Sequence, residues 1–207
     1  MKTIYFVRHG ESRANVELDG VGVDSSLTQQ GQRQAEFVAH RCARLPIDCI
    51  IASTYKRAQE TGEIIQKKLG KPIEFCDLFV ERRTASEHHG MLETEWVKTI
   101  SEISGYMYEP GFHFSDEENF EDLMIRAGKA LDFLAQRKEE HILVVTHGSF
   151  LRDMLALMIF KENVSPIIRR SMTRGLSTNN TGLTMVQYHE EENQWSMITW
   201  NDHAHLG

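Results

Sequence analysis

The sequence predicts an α/β fold: a three-layer sandwich in which a mostly parallel sheet carries helices on both faces. Residues 3–7, 48–52 and 141–146 form short runs that are almost entirely apolar. Such runs are typical of strands that are buried on both faces of a sheet. A segment with apolar residues at helical spacing comes after each run along the chain. Strands that alternate with helices in this way favour a parallel sheet.

The remaining elements are predicted from spacing and from residues that start or end helices and strands. Thr28 is a suitable N-cap for the first helix, and the polar stretch Glu11–Ser26 before it is expected to be a loop. Ser115–Glu118 has the pattern of a capping box in front of a later helix. A polar turn at 190–193 indicates a C-terminal hairpin, which we place at one edge of the sheet. The predicted helices cover 28–45, 53–69, 119–134 and 149–160, and the further strands cover 72–76, 180–189 and 194–200.

The composition is that of an ordinary globular protein. Of the 207 residues, 41% are hydrophobic and 26% are charged, and we find neither repeats nor a linker, so a single domain over residues 1–207 is expected. The net charge of −7 argues against a surface for nucleic acid or for an anionic membrane. No apolar run approaches the roughly 20 residues that span a membrane. Three cysteines without C-x-x-C spacing argue against structural disulfides and favour a cytoplasmic location.

Two of the predicted strands end in the same way. The first runs into Arg8, His9 and Gly10, and the last of the apolar runs ends in His147 and Gly148. A cation and an imidazole at the end of a buried strand are costly unless an anion meets them. If the two strands are neighbours, both histidines face one crevice, and the helix that starts near Gly148 directs its unpaired N–H groups there. The pattern therefore predicts a local anion site in an acidic protein.

Several motifs occur together and in a recognisable order. They are R-H-G-E-S-x-x-N over 8–15, L-T-x-x-G-x-x-Q-A over 27–35, S-x-x-x-R-A-x-x-T over 53–61, the His-Gly pair at 147–148 and N-D-x-x-H-L over 201–206. Together they resemble the signatures of the histidine phosphatase superfamily, the family of phosphoglycerate mutases and fructose-2,6-bisphosphatases. The resemblance implies a phosphoglycerate mutase-like fold. The loop before the second motif departs from the common family form, and the usual proline there is Ser26.

The resemblance also implies roles for individual residues. His9 is the implied nucleophile, and Arg8, Arg57 and His147 are implied to hold the phosphoryl group, with Asn15 donating a further hydrogen bond. The chemistry suits these residue types. A neutral imidazole is a competent nucleophile near pH 7, and guanidinium groups match the non-bridging oxygens of a phosphoryl group.

The leaving alkoxide needs a proton, and a carboxylic acid at the edge of the pocket can supply it. Glu81 follows the third predicted strand and matches the position of the family's acid. Glu87 lies nearer to a glycine in the S-E-H-H-G stretch and is the competing candidate. We favour Glu81 and leave Glu87 open.

The expected activity is metal-independent hydrolysis of a phosphomonoester through a phosphohistidine intermediate. Arginine and histidine already supply positive charge, so no metal or other cofactor is expected, and the His203/His205 pair has no further ligand at useful spacing. A mutase and a phosphate-binding module without turnover remain as alternatives. The expected partner is a small phosphorylated metabolite, without nucleic acid or membrane, and a homodimer stays open. The poorly patterned residues 82–118 are interpreted as a lid or specificity insertion.

Overall fold

The computed structural model describes residues 1–16, 25–91, 94–95, 98 and 111–207. The strands are β1 (Lys2–Arg8), β2 (Cys49–Ala52), β3 (Ile73–Phe75), β4 (His141–Thr146), β5 (Leu183–His189) and β6 (Gln194–Asp202). The helices are α1 (Arg13–Val16), α2 (Gln29–Cys42), α3 (Lys56–Leu69), α4 (Phe120–Ala135), α5 (Gly148–Phe160) and α6 (Pro166–Gly175). Short 3-10 turns cover Asp77–Phe79, Ser86–His88, Lys161–Asn163 and Ala204–Leu206.

These strands form one mixed sheet in the order β3-β2-β4-β1-β5-β6. β3, β2, β4 and β1 are parallel to one another, whereas β5 and β6 are antiparallel to their neighbours. The predicted C-terminal hairpin is therefore confirmed, and β6 forms one edge of the sheet. Because β1 lies beside β4, with Arg8 opposite Thr146, the two strands that end in His-Gly are neighbours.

Both faces of the sheet are covered, so the three-layer α/β sandwich is confirmed. Alternate residues of β1 point to opposite sides. Ile4 and Phe6 pack with α4 and α5 on one face. Tyr5 and Val7 pack with side chains of α2 and α3 on the other face. Burial on both faces explains why this strand has apolar residues at successive positions.

The ends of two helices show how well local signals work. Thr28 caps α2 as predicted, since its hydroxyl accepts a hydrogen bond from the N–H of Gly31 at 2.9 Å. The predicted capping box at Ser115–Glu118 is wrong. α4 begins at Phe120 after the N-cap Asn119, which forms a capping box with Asp122. Ser115 instead adopts a positive φ of 52°, which removes it from the helix.

Two further differences concern segments between the main elements. The short helix α1 lies inside the stretch that was predicted to be loop, of which residues 17–24 lie outside the described residues. Much of the predicted lid insertion, at 92–93, 96–97 and 99–110, also lies outside them. α6 was not predicted, although Ser165 caps it and Pro166 occupies its first turn. Across the described residues, no helix is long and apolar enough to cross a membrane.

Candidate active site

The site lies where the carboxyl ends of β1, β4 and β2 meet. His9 follows the last residue of β1, His147 follows β4, and Arg57 is in the first turn of α3 after β2. The two imidazole rings have centroids 5.1 Å apart and are inclined by 56°. Arg57 reaches the same place, because its Nε lies 3.1 Å from Nε2 of His9. The fold thus brings together residues that are far apart in the sequence.

Two contacts of the His9 ring fix its tautomer, that is, which ring nitrogen carries the proton. The side chain is buried, and Nδ1 lies 2.7 Å from the carbonyl oxygen of Gly10, a group that can only accept. Arg57 donates from its Nε to Nε2, so Nε2 carries the lone pair. Burial, followed by the charges of Arg57 and Arg8, holds the pKa of His9 well below its usual value. The ring is therefore neutral at neutral pH.

His147 is fully buried and contacts the chain that follows β2. Its Nε2 lies 2.7 Å from Oγ of Ser53, which also accepts a hydrogen bond from the N–H of Tyr55. Because Ser53 has its own proton to donate, this arrangement favours a ring whose proton is on Nδ1. The Tyr55 ring packs edge-on against His147 at 5.2 Å. Burial is the main cause that holds the pKa of His147 well below its usual value, with Arg57 and His9 adding to it.

The two arginines keep hydrogen-bonding capacity for an anion. Within the described part of the chain, Nη1 of Arg57 and Nε of Arg8 are buried without a hydrogen-bond partner, as is Nδ1 of His147. Arg8 is fixed from its other side, where Nη1 donates to the carbonyl oxygen of Thr178. Burial lowers the pKa of both guanidinium groups, and the charge of Glu81 raises it. These donors suit the oxygens of a phosphoryl group.

Glu81 belongs to this cluster and also anchors a helix. Its carboxylate accepts hydrogen bonds from the N–H groups of Ser149 at 3.0 Å, Phe150 at 2.8 Å and Arg82 at 2.9 Å. Two of these groups are at the N-terminus of α5, where the helix dipole favours a negative charge. Glu87, the competing candidate, is exposed on the turn Ser86–His88. The structure therefore places Glu81, and not Glu87, beside the site.

Gly148 allows α5 to start close to the arginine. A Cβ atom at this position would lie 2.6 Å from Oγ1 of Thr178 and 3.3 Å from Nε of Arg8. On the other side of the site, Oγ1 of Thr61 accepts a hydrogen bond from the N–H of Gly10 at 3.0 Å. The final threonine of the third motif therefore holds the loop that follows His9.

Asn15 lies next to the backbone of this loop. It is exposed in α1, and its Oδ1 accepts hydrogen bonds from Ser12 and, at 3.3 Å, from Nδ2 of Asn180. Asn180 donates from the same nitrogen to the carbonyl oxygen of His9 at 3.0 Å. These contacts use Oδ1 of Asn15, and the hydrogen bond from its Nδ2 group that the resemblance implies stays a prediction.

The C-terminal histidines make structural contacts. His203 Nδ1 lies 2.9 Å from the carbonyl oxygen of Asn201, and His205 Nε2 lies 3.1 Å from Oγ1 of Thr181. Burial lowers the pKa of His205 to about 4. In the described ranges we find no group of three or more metal-ligating side chains.

Sequence reasoning missed two groups at the site. Ser53 had a signal, since it opens the third motif directly after β2, but its contact with His147 depends on strand order. Arg152, on α5, had no signal in the sequence that marked it as a site residue. It lines an open cleft of about 490 Å³ that starts at Arg8 and Glu81.

Buried histidines and arginines at the carboxyl ends of parallel strands form a site that is suited to bind a phosphoryl group. The sequence model of the histidine phosphatase superfamily (branch 1) matches residues 4–203. The chain therefore belongs to the histidine phosphatase superfamily, as the motifs predicted.

Individual relatives agree with this assignment. The chain is 30% identical over 209 residues to a protein named probable phosphoglycerate mutase GpmB from Enterobacter sp. (strain 638), covering 97% of this chain and 90% of the relative. The solved structure of Bacillus stearothermophilus YhfR is similar with a TM-score of 0.85 and 25% identity, and both chains are covered completely. A phosphoserine phosphatase from Entamoeba histolytica, solved with 3-phosphoglyceric acid, shares the fold with a TM-score of 0.79, 21% identity and complete coverage of both chains.

Proposed function

We propose that this protein hydrolyses a small phosphorylated metabolite, a phosphomonoester, without a metal ion and through a phosphohistidine on His9. The observation that supports the proposal most is the state of the His9 ring. Its proton faces the carbonyl oxygen of Gly10, and its lone pair is on Nε2 beside Arg57. A neutral, oriented imidazole nitrogen next to a cation is what attack on a phosphoryl group requires.

The reaction then has two steps. Nε2 of His9 forms a bond to phosphorus while the bond from phosphorus to the ester oxygen breaks, and Glu81 gives its proton to the leaving alkoxide. In the second step water attacks the phosphohistidine, Glu81 takes the proton from that water, and inorganic phosphate and neutral His9 are regenerated. The carboxyl group of Glu81 is restored to its starting state by this exchange.

Positive charge around the phosphoryl group stabilises the transition state. Arg8, Arg57 and His147 contribute the buried donors described above, and the N-terminus of α5, which begins at Gly148 beside Arg8, adds the positive end of the helix dipole. Asn15 adds a donor from α1. Because these groups are already positioned by the fold, no Lewis acid is needed in the proposed mechanism.

A phosphoglycerate mutase is the second candidate. It is supported by the name of the relative from Enterobacter, which is 30% identical to this chain. The two candidates share the phosphohistidine and differ in the acceptor, which is water in a phosphatase and a second hydroxyl group in a mutase. Phosphate release from 3-phosphoglycerate favours the first, and formation of the 2-phospho isomer favours the second.

The experiment that tests the proposal is His9→Ala with His40→Ala as a matched control. His40 is an exposed histidine on α2, so its loss should leave turnover unchanged. His9→Ala should lower phosphate release from p-nitrophenyl phosphate by about 10³-fold or more, because the nucleophile is lost. Radiolabelled substrate should give an acid-labile phosphohistidine only in the unchanged protein. Prolonged EDTA treatment should leave its activity intact.

Normal turnover by His9→Ala would overturn the mechanism. No phosphate release from any of a panel of phosphorylated metabolites, with tight binding of phosphate, would instead favour a binding module. Loss of activity with EDTA and recovery with a divalent ion would show that the reaction needs a metal.

A further inference from the structure

The backbone that carries Glu81 is held by Arg126, a buried arginine on α4. We propose that Arg126 is a positioning residue for the reaction. It fixes the segment 78–81 and thereby sets where the carboxyl group of Glu81 meets the leaving oxygen. The inference rests on the proposed function, in which Glu81 is the acid. Arg126 lies outside the motifs that resemble the family signatures.

The guanidinium group of Arg126 is used completely by the protein itself. Nη1 donates to the carbonyl oxygens of Leu78 at 3.1 Å and of Val80 at 2.8 Å, and Nη2 donates to that of Glu81 at 3.3 Å. Nε and Nη2 also donate to the two carboxylate oxygens of Glu118, at 2.6 Å and 2.7 Å. Because an arginine has five N–H donors in a rigid arrangement, these bonds use its whole capacity.

The segment 78–81 depends on side chains for its hydrogen bonds. It leaves the short turn Asp77–Phe79 and enters no strand or helix. Arg126 binds three of its carbonyl oxygens, and the fourth, that of Phe79, accepts a hydrogen bond from Oγ1 of Thr146 at 2.8 Å. Buried carbonyl groups without a donor are costly, so these side chains determine the path of the backbone.

Arg126 also contacts the residue that binds the carboxylate of Glu81. Its Cζ lies 3.9 Å from the centroid of the Phe150 ring, in the first turn of α5. The N–H group of Phe150 in turn donates to Oε1 of Glu81 at 2.8 Å. One guanidinium group therefore supports both the backbone of Glu81 and the helix start that holds its carboxylate.

This double support matters because proton transfer depends on distance. A proton donor has to lie within hydrogen-bond reach of the oxygen that it protonates. A displacement of about 1 Å in an active site can lower the rate by about 10²-fold. The side chain of Glu81 has rotatable bonds of its own, so its carboxyl group keeps one place only while both of its supports are fixed.

Glu118 holds Arg126 in this position. Both side chains are buried, and the carboxylate of Glu118 also accepts the N–H group of Arg83 at 2.8 Å. The N–H group of Glu118 donates to the carbonyl oxygen of Arg83 at 3.0 Å. The ion pair therefore joins the end of the stretch 82–118 to the segment of Glu81. Removal of one partner alone would leave a buried charge without compensation.

The first test is Arg126→Lys, measured as the ratio of kcat/KM for glycerol 3-phosphate to that for p-nitrophenyl phosphate. Lysine keeps the charge beside Glu118, but its three donors cannot replace five. The ratio should fall about 10²-fold, because only the alkyl phosphate needs the acid. In a Glu81→Gln background, Arg126→Lys should change the ratio no further, since the acid through which it acts is already lost.

Leu134→Ala is the matched control, because it removes a fully buried side chain from the same helix. It should lower the stability of the protein and leave the ratio unchanged. Arg126→Lys behaving like Leu134→Ala would overturn the proposal. Equal effects of Arg126→Lys on the ratio with and without Glu81→Gln would overturn it as well, since they would show that Arg126 does not act through Glu81.

A second variant is available in case Arg126→Lys does not fold. Arg126→Met together with Glu118→Gln removes both charges of the pair, so no buried charge is left unpaired. Methionine keeps most of the length of the side chain, and the amide oxygen of glutamine still accepts the N–H group of Arg83. This double variant should lower the ratio at least as much as Arg126→Lys, and an unchanged ratio would contradict the proposal.

Hydrogen exchange of single N–H groups, followed by NMR, separates this proposal from the proposed function. Glu81 accepts the N–H groups of Ser149 and Phe150, so a displaced Glu81 leaves them without an acceptor. Arg126→Lys should speed their exchange about tenfold, as Glu81→Ala should, while exchange at Met154 in the middle of α5 stays the same. If no substrate is turned over, the proposed function fails and this measurement still decides the inference. Unchanged exchange at both N–H groups in Arg126→Lys would overturn it whatever the activity.

Discussion

In the proposed mechanism, Glu81 has two roles that place opposite demands on a carboxyl group. As a carboxylate it accepts the N–H groups of Ser149 and Phe150 and faces the charges of Arg8 and Arg57. As a proton donor it has to carry a hydrogen at the moment when the alkoxide leaves. The proposed mechanism therefore requires Glu81 to hold a proton when the substrate is bound.

This role predicts how Glu81→Gln affects different substrates. The amide keeps the shape of the side chain but cannot protonate an alkoxide. An alkyl phosphate should therefore lose about 10²–10⁴-fold in turnover, whereas p-nitrophenyl phosphate, whose nitrophenolate leaves without help, should lose much less. The ratio of the two rates is measured, because general damage to α5 would lower both rates equally.

Glu87→Gln is the control, since Glu87 is exposed on the neighbouring turn and should leave this ratio unchanged. If Glu87→Gln showed the dependence on the leaving group and Glu81→Gln did not, the acid would be misassigned.

At the scale of single elements, the start of α2 is fixed by contact between two backbone segments. A Cβ atom on Gly31 would lie 1.9 Å from the carbonyl oxygen of Glu11, in the loop that follows His9. The glycine of the second motif thus allows α2 to touch the loop that follows the proposed nucleophile. Thr28 strengthens this contact, because its N–H donates to the same carbonyl oxygen at 2.9 Å.

Two Gly→Ala changes in helices should consequently have opposite effects. Gly31→Ala should lower the free energy of unfolding by about 3 kcal/mol, since the backbone of the loop has to move. Gly128→Ala, in the middle of α4, should raise it by about 0.5–1 kcal/mol, because alanine favours the helix and the nearest atom lies 3.8 Å from the added Cβ. Urea denaturation of both variants measures the difference. Equal destabilisation by the two changes would contradict this account of Gly31.

Local sequence signals predicted those elements whose ends depend on their own residues. Thr28 is an example, because the group that it caps is three residues away. Ser115 shows the limit: a serine followed three residues later by a glutamate is a valid pattern, but Asn119 and Asp122 form the box and Ser115 has a left-handed backbone. α6 was missed because its apolar stripe is short, with Ile168 and Met172 four residues apart among three arginines, although Ser165 and Pro166 marked its start.

At the scale of the whole molecule, too, the sequence predicted features that depend on local residues and missed features that depend on contacts across the fold. The buried strands and the order of the motifs predicted the sandwich. They also predicted that His9 and His147 face one crevice if their strands are neighbours, and the pairing of β1 with β4 meets that condition. Contacts made across the fold, such as that of Ser53 with His147 or of Arg152 with Leu176, depend on which elements become neighbours. No pattern within either segment encodes them.

Burying two neutral histidines beside two arginines makes the stability of the whole molecule depend on pH. The pKa of His9 in the folded state is well below its usual value, mainly through burial, so near pH 6 the unfolded chain binds a proton that the folded protein does not. The contribution of the neutral His9 ring to stability is fully present above about pH 6.5, the pKa of a histidine in the unfolded chain. It is lost as the pH falls below that value towards the pKa of His9 in the folded protein.

His9→Ala should therefore make stability less sensitive to acid. Below pH 6.5, the free energy of unfolding of the unchanged protein should fall more steeply than that of His9→Ala, by up to about 1.4 kcal/mol per pH unit, the effect of one proton.

Leu123→Ala is the control, because it removes a buried side chain that does not titrate and should lower stability equally at each pH. Denaturation is followed between pH 5 and pH 8 in buffers without phosphate or sulfate, since anions that bind the folded site would add stability of their own. Identical slopes for His9→Ala and the unchanged protein would contradict a neutral His9, and with it the ring state on which the proposed attack depends.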